Sequence, residues 1–98
     1  MSKARNHVEL KNRGNEYFKQ NLFENALFCY QDALLGNEDK TLEIAILSNM
    51  AACSLGLELY EDALDTCNKI LKHDPQHLKA LYRKAKAYLE LFEYEKSI

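Results

Sequence analysis

Lys11, Asn15, Asn49, Lys79 and Arg83 are the residues of this chain whose types and spacing could do chemistry together. Lysine and arginine donate charge-assisted hydrogen bonds to carboxylates, and asparagine NH₂ groups can complete the same shell. Lys11 and Asn15 stand four apart, as do Lys79 and Arg83. On helices each pair would share a face and could grip one ligand group. Two neighbouring carboxylates on one ligand suit the set best. A C-terminal aspartate supplies them, one from the main chain and one from the side chain. The chemistry is recognition of an acidic peptide end, without bond making.

An internal repeat positions these residues. Phe23, Ala26, Leu27, Tyr30, Ala33 and Leu34 form a stripe at i, i+3, i+4, i+7 spacing, which predicts an amphipathic helix. The stripe returns 37 residues on as Tyr60, Ala63, Leu64, Cys67, Ile70 and Leu71. A second series, Leu10, Gly14 and Tyr17, returns as Leu47, Ala51 and Ser54, and again as Leu81, Ala85 and Tyr88. Each unit is thus a helix pair, A then B. The spacing predicts helices near 5–20, 23–36, 41–56, 60–73 and 77–91, with a further start at 94. Pro75 ends the second unit, because proline lacks the amide proton and clashes with a continuing helix. Gly36 and Asn37 close the first.

Counting His7, Ile44 and Leu78 each as place one, the packing residues fall at places four, eight and eleven of helix A. Lys79 then takes place two, Lys11 place five, Asn49 and Arg83 place six, and Asn15 place nine. At about 100° per residue these places form a second stripe, roughly 140° from the packing stripe. Nothing about packing demands lysine, arginine or asparagine there. In a stacked array of helix pairs, the A helices line the concave surface.

The pattern resembles the tetratricopeptide repeat, an antiparallel helix-pair solenoid, and the likeness covers nearly the whole chain. Gly14, Tyr17, Ala26, Tyr30 and Ala33 match in the first unit, Ala51, Ala63 and Pro75 in the second, and Ala85 and Tyr88 in the third. Small residues at Gly14, Ala26, Ala51, Ala63 and Ala85 would let A and B helices approach closely. Departures are mild: Glu38 stands where a proline is common, and Ser54, Cys67 and Ile70 replace usual residues. The resemblance implies an all-α solenoid forming one domain over 1–98. Repeat 1 covers about 7–40, repeat 2 about 44–77, and an incomplete repeat 3 about 78–98.

Leu10-Lys11-Asn12-Arg13-Gly14-Asn15, Ser48-Asn49 and Lys79-Ala80-Leu81-Tyr82-Arg83-Lys84-Ala85 are similar to the dicarboxylate-clamp members of that group. Those co-chaperones bind the terminal Glu-Glu-Val-Asp of heat-shock protein 90 and heat-shock protein 70. The resemblance implies that Lys11, Asn15 and Asn49 hold the terminal carboxylate and Lys79 the aspartate side chain. Arg83 would reach the peptide's side chains or backbone. Groove-lining apolar contacts are expected from Phe18, Ala52 and Leu55. Met50 stands where such domains often carry arginine, at a place outside the clamp.

Charge and composition narrow the alternatives. A net charge of −2 excludes a broad basic surface, so neither nucleic acid nor membrane is expected as a partner. No apolar run approaches ~18 residues, and Met1-Ser2-Lys3-Ala4-Arg5 is not followed by an apolar signal segment. Cys29, Cys53 and Cys67 lack metal-ligand spacing and lie in apolar helical stretches, the pattern of reduced thiols in a cytoplasmic protein. His73 and His77 are four apart, but Pro75 between them removes the helix that would align them on a metal. Glu61, Asp62 and Asp65 form a solvated outer face. The three glycines are too widely spaced to cradle a phosphate. No catalytic constellation presents itself, and neither an enzyme nor a cofactor is expected.

Two further expectations concern the third unit. Tyr88, Leu89, Leu91 and Phe92 lack a covering helix, so the chain is expected to be a fragment of a longer protein, and this end to pair with another copy or loosen. A general scaffold that binds an internal segment of another protein along the same groove is the alternative function. Dependence on a free C-terminal carboxylate separates the two.

Overall fold

The computed structural model describes residues 6–97, an all-helical chain of five helices with extents of 54 × 29 × 19 Å. They are α1 (His7–Lys19), α2 (Phe23–Leu34), α3 (Lys40–Gly56), α4 (Tyr60–His73) and α5 (Leu78–Ser97). Arg5, where the spacing begins the first helix, and Ile98, the last residue of the third unit, lie outside the described residues, as does the start Met1–Arg5. Among the described residues, no helix is long and apolar enough to cross a membrane.

Helix starts follow side-chain chemistry. The Asn6 side chain accepts the Glu9 amide at 2.9 Å, and Asp39 accepts the Leu42 amide at 3.2 Å. Each satisfies an amide that the first helical turn leaves without a partner. His77 does the same for α5, its Nδ1 accepting the Ala80 amide at 3.1 Å. His73 instead lies 3.9 Å from the Glu43 carboxylate. The two histidines therefore serve separate ends of the Pro75 loop, and no three potential ligands cluster for a metal among the described residues.

The A-to-B turns are near copies. Leu22 N–H bonds Tyr17 C=O at 3.0 Å and Asn21 N–H bonds Phe18 C=O at 2.9 Å. Leu59 to Ser54 and Glu58 to Leu55 repeat the arrangement at 2.8 and 3.0 Å. This pairing needs a residue with positive φ just past the helix end. Asn21 (φ 61°) and Glu58 (φ 62°) supply it, while Gly36 (φ 74°) has positive φ in a different turn, closed by Asn37 N–H to Leu34 C=O at 3.0 Å.

The third unit departs from the spacing. The helix expected to end at 91 and restart at 94 is one continuous element to Ser97. Its counterpart of Asn21 and Glu58 is Phe92, and a bulky aromatic is a poor left-handed residue. Among the described residues, no helix folds back after α5. Ala85 therefore covers nothing and is exposed, whereas Gly14, Ala26, Ala51 and Ala63 are buried as the close-approach pattern requires.

The core forms two clusters bridged by α3. Ala26, Tyr30, Ala33, Ile46 and Cys53 make the first, and Leu47, Ala51, Cys67, Ile70 and Ala80 the second. Met50 packs against both. α3 is consequently apolar on most sides, as a helix flanked by neighbours must be. Gly14 marks the tightest crossing: a Cβ there would come within 2.6 Å of the Tyr30 ring. His7 pins the other end of the α1–α2 pair, its Nδ1 donating to Ala33 C=O at 2.7 Å.

Candidate functional site

α3 packs against both α1 and α5, so the three A helices lie side by side and present one continuous surface. All five residues of the groove stripe stand on these helices. Asn15 of α1 and Asn49 of α3 meet directly, Asn49 Nδ2 donating to Asn15 Oδ1 at 2.9 Å. Tyr30 of α2 reaches the same oxygen with its hydroxyl at 2.5 Å. Both lone pairs of that carboxamide oxygen are then occupied. The Asn15 NH₂ group stays available.

Arg83 of α5 crosses to α3. One terminal nitrogen donates to Ser48 C=O at 2.8 Å and to Ser48 Oγ at 2.9 Å. Ser48 precedes Asn49 and is buried, so the guanidinium is anchored on α3 with N–H groups to spare. A shallow depression of about 520 Å³ adjoins Ser48 and Asn49, lined also by Asp74, His77 and Lys79 but not by Lys11, Asn15 or Arg83. Lys79 is exposed at its rim and Lys11 is half-buried one turn before Asn15. Neither lysine makes an ion pair with a described residue. Two uncommitted ammonium groups, a tethered guanidinium and an oriented amide pair form a surface with donors to spare. Such a surface can take up an anion with several acceptor oxygens.

The apolar residues expected in the groove divide. Phe18 turns to the α1–α2 turn, its ring 5.4 Å from that of Phe23, and packs on the first core cluster. Ala52 and Leu55 are half-buried on α3. Two supporting residues were not visible as such in the sequence, Tyr30 and Ser48. Tyr30 carries the signature of a packing residue, and Ser48 is notable only for preceding Asn49. Their roles depend on which oxygen faces which helix, and spacing alone does not report that.

The thiols are poor nucleophiles. Burial pushes Cys53 up to about 11, against the opposing charge of Arg83. Burial also raises Cys67, with Arg83 and Lys84 opposing, and raises Cys29, with Arg13 opposing. All three are free cysteines. Glu61, Asp62 and Asp65 are exposed on α4.

The chain matches no protein-family model. It is 40% identical over 88 residues to the Hsp70/Hsp90 co-chaperone cns1 of Schizosaccharomyces pombe, covering 89% of this chain and 25% of that protein. It is 37% identical over 100 residues to FK506-binding protein 5 of Rhizopus delemar, covering 90% of this chain and 26% of the relative. Among solved structures, the Hsp90 co-chaperone Cns1 of Saccharomyces cerevisiae superposes with a TM-score of 0.83 at 34% identity, covering 87% of this chain and 28% of that one. The fold is the tetratricopeptide-repeat solenoid. This tetratricopeptide array spans about a quarter of the length of these curated relatives.

Proposed function

We propose that this tetratricopeptide array is a protein–protein interaction module, a cytoplasmic co-chaperone adaptor of the dicarboxylate-clamp kind. Its ligand is the C-terminal Glu-Glu-Val-Asp tail of heat-shock protein 90 or heat-shock protein 70. The observation that carries this reading is the Asn15–Asn49 pair with Arg83 tethered beside it on Ser48. It supports a donor surface drawn from α1, α3 and α5, to which Lys11 and Lys79 contribute free ammonium groups on this reading. Lys11, Asn15 and Asn49 take the terminal carboxylate, Lys79 the aspartate side chain, and Arg83 the peptide upstream. Ala52 and Leu55 supply apolar contacts along the groove, whereas Phe18 is committed to the α1–α2 turn and the first core cluster. The similarity to proteins named as co-chaperones of Hsp70 and Hsp90 favours the same ligand class.

Affinity is on the order of micromolar, because a short flexible peptide loses entropy on binding and buries little surface. Binding weakens with salt, since much of the attraction is Coulombic. Calorimetric titration with a Glu-Glu-Val-Asp peptide, as free acid and as C-terminal amide, tests the reading. Binding of the acid alone supports the clamp. Equal binding of both would instead favour the scaffold that takes an internal segment.

A second reading concerns α5. Leu81, Tyr88 and Phe92 are 42%, 55% and 57% exposed and share a face with the exposed Ala85. The first half of the helix is basic (Lys79, Arg83, Lys84, Lys86) and the second is acidic on balance, with Glu90, Glu93 and Glu95 against Lys96. An antiparallel pair of α5 helices from two copies would cover the stripe and oppose unlike charges. Concentration-dependent sedimentation supports that self-association, and a monomer at high concentration contradicts it.

A further inference from the structure

Tyr30 sits on a B helix, remote in sequence from the stripe that faces the ligand, yet its hydroxyl enters the site. The side chain is fully buried, with its ring against Gly14 and its oxygen 2.5 Å from Asn15 Oδ1. A buried hydroxyl proton needs an acceptor, and Asn15 Oδ1 is the one it has among the described residues. That requirement decides which way the Asn15 amide points. If the carboxamide turned over, its NH₂ would replace the acceptor and strand the phenol proton in the interior. The Asn49 amide, donating to the same oxygen at 2.9 Å, would then meet NH₂ with NH₂. Both neighbours therefore hold Oδ1 inward and the Asn15 N–H donors outward.

We infer that Tyr30 is a positioning residue of the carboxylate site, whose buried hydroxyl holds the Asn15 amide with its N–H donors toward the bound anion. This rests on the carboxylate-clamp reading of the groove and adds to it a component from α2. It also links the core to the site: the ring packs on Gly14 in the turn of α1 that carries Asn15. Burial raises the phenol's pKa further, so the hydroxyl keeps its proton throughout the neutral range.

Tyr30→Phe keeps the ring against Gly14 and removes only the hydroxyl. Two measurements test it. First, the Asn15 side-chain NH₂ signals, followed by ¹⁵N relaxation without ligand, are rigid in the wild type and become mobile in Tyr30→Phe. Second, titration of a Glu-Glu-Val-Asp free-acid peptide by NMR shows Tyr30→Phe weakening binding about 3- to 10-fold. That factor vanishes when Asn15→Ala is already present and persists when Lys79→Ala is. A factor that survives in the Asn15→Ala background would mean that Tyr30 acts through general packing, which overturns this role and leaves the clamp standing. A wild-type protein that binds no peptide overturns the clamp reading and this role with it.

Discussion

α3 and α5 carry the same packing pattern to opposite ends. Leu47, Ala51 and Ser54 of α3 are 3%, 0% and 4% exposed. Their counterparts Leu81 and Tyr88 on α5 are 42% and 55% exposed, and Ala85 between them is exposed too. The chain turns back after α3 at Glu58 and runs straight on past Phe92. Burial of the packing stripe thus belongs to the helix pair. The groove stripe is different, because Arg83 reaches Ser48 from α5 although no described B helix covers that unit. The packing stripe and the candidate groove stripe thus lie on different faces of the A helices, joined at Tyr30, and on the clamp reading most groove substitutions leave the fold intact.

The largest effect is expected where the pair is closed. Gly14→Leu forces a side chain into the Tyr30 ring and should cost about 3 kcal/mol, the upper end of the overpacking range. The equivalent Ala85→Leu on the open unit should change stability by no more than about 0.5 kcal/mol. Urea denaturation of the two variants checks the contrast, and equal losses would mean that α5 is covered in solution.

Recognition should break without loss of fold. Lys79→Ala removes an exposed ammonium that supports no described ion pair, so the denaturation midpoint should hold. Peptide affinity should fall by about 2 kcal/mol, within the range for charge-assisted hydrogen bonds and near 30-fold. Ser48→Ala removes the hydroxyl contact of Arg83 and keeps the carbonyl one. Its effect on binding should be smaller, about 1 kcal/mol. Calorimetry on both variants checks the order, and an effect of Ser48→Ala exceeding that of Lys79→Ala would make the tether dominant over the free charge.

The last contrast concerns alkaline pH. Cys53 in the fold sits at about 11 against an ordinary 9.0, so folding favours the neutral thiol. That contribution is undiminished below pH 9 and is lost as pH rises toward about 11. Denaturation midpoints across that window should fall, and less so for Cys53→Ala. Thiol labelling at mild alkaline pH should reach half-buried Cys29 before buried Cys53 and Cys67.

The helix pairs were legible because the apolar places recur in register from Leu10 to Leu71, and a stripe seen twice is hard to mistake. The run Tyr94-Glu95-Lys96-Ser97 looked like another helix start for the same reason. What it lacked was a residue before it able to take positive φ, as Asn21 and Glu58 do. The five candidate groove residues stand out in the sequence because lysine, arginine and asparagine are foreign to a packing stripe. Tyr30 and Ser48 were not, since a buried tyrosine and serine have the same appearance whether or not they hold a neighbour in place.

The side-chain amide signals of Asn15 and Asn49 test the carboxylate site most directly. Resolved in a ¹H–¹⁵N spectrum, both should shift on adding a Glu-Glu-Val-Asp free-acid peptide and stay in place with its C-terminal amide. Unmoved amides beside shifts on the outer face, at Phe28 or Glu61, would show that the peptide binds elsewhere and that the groove is no clamp.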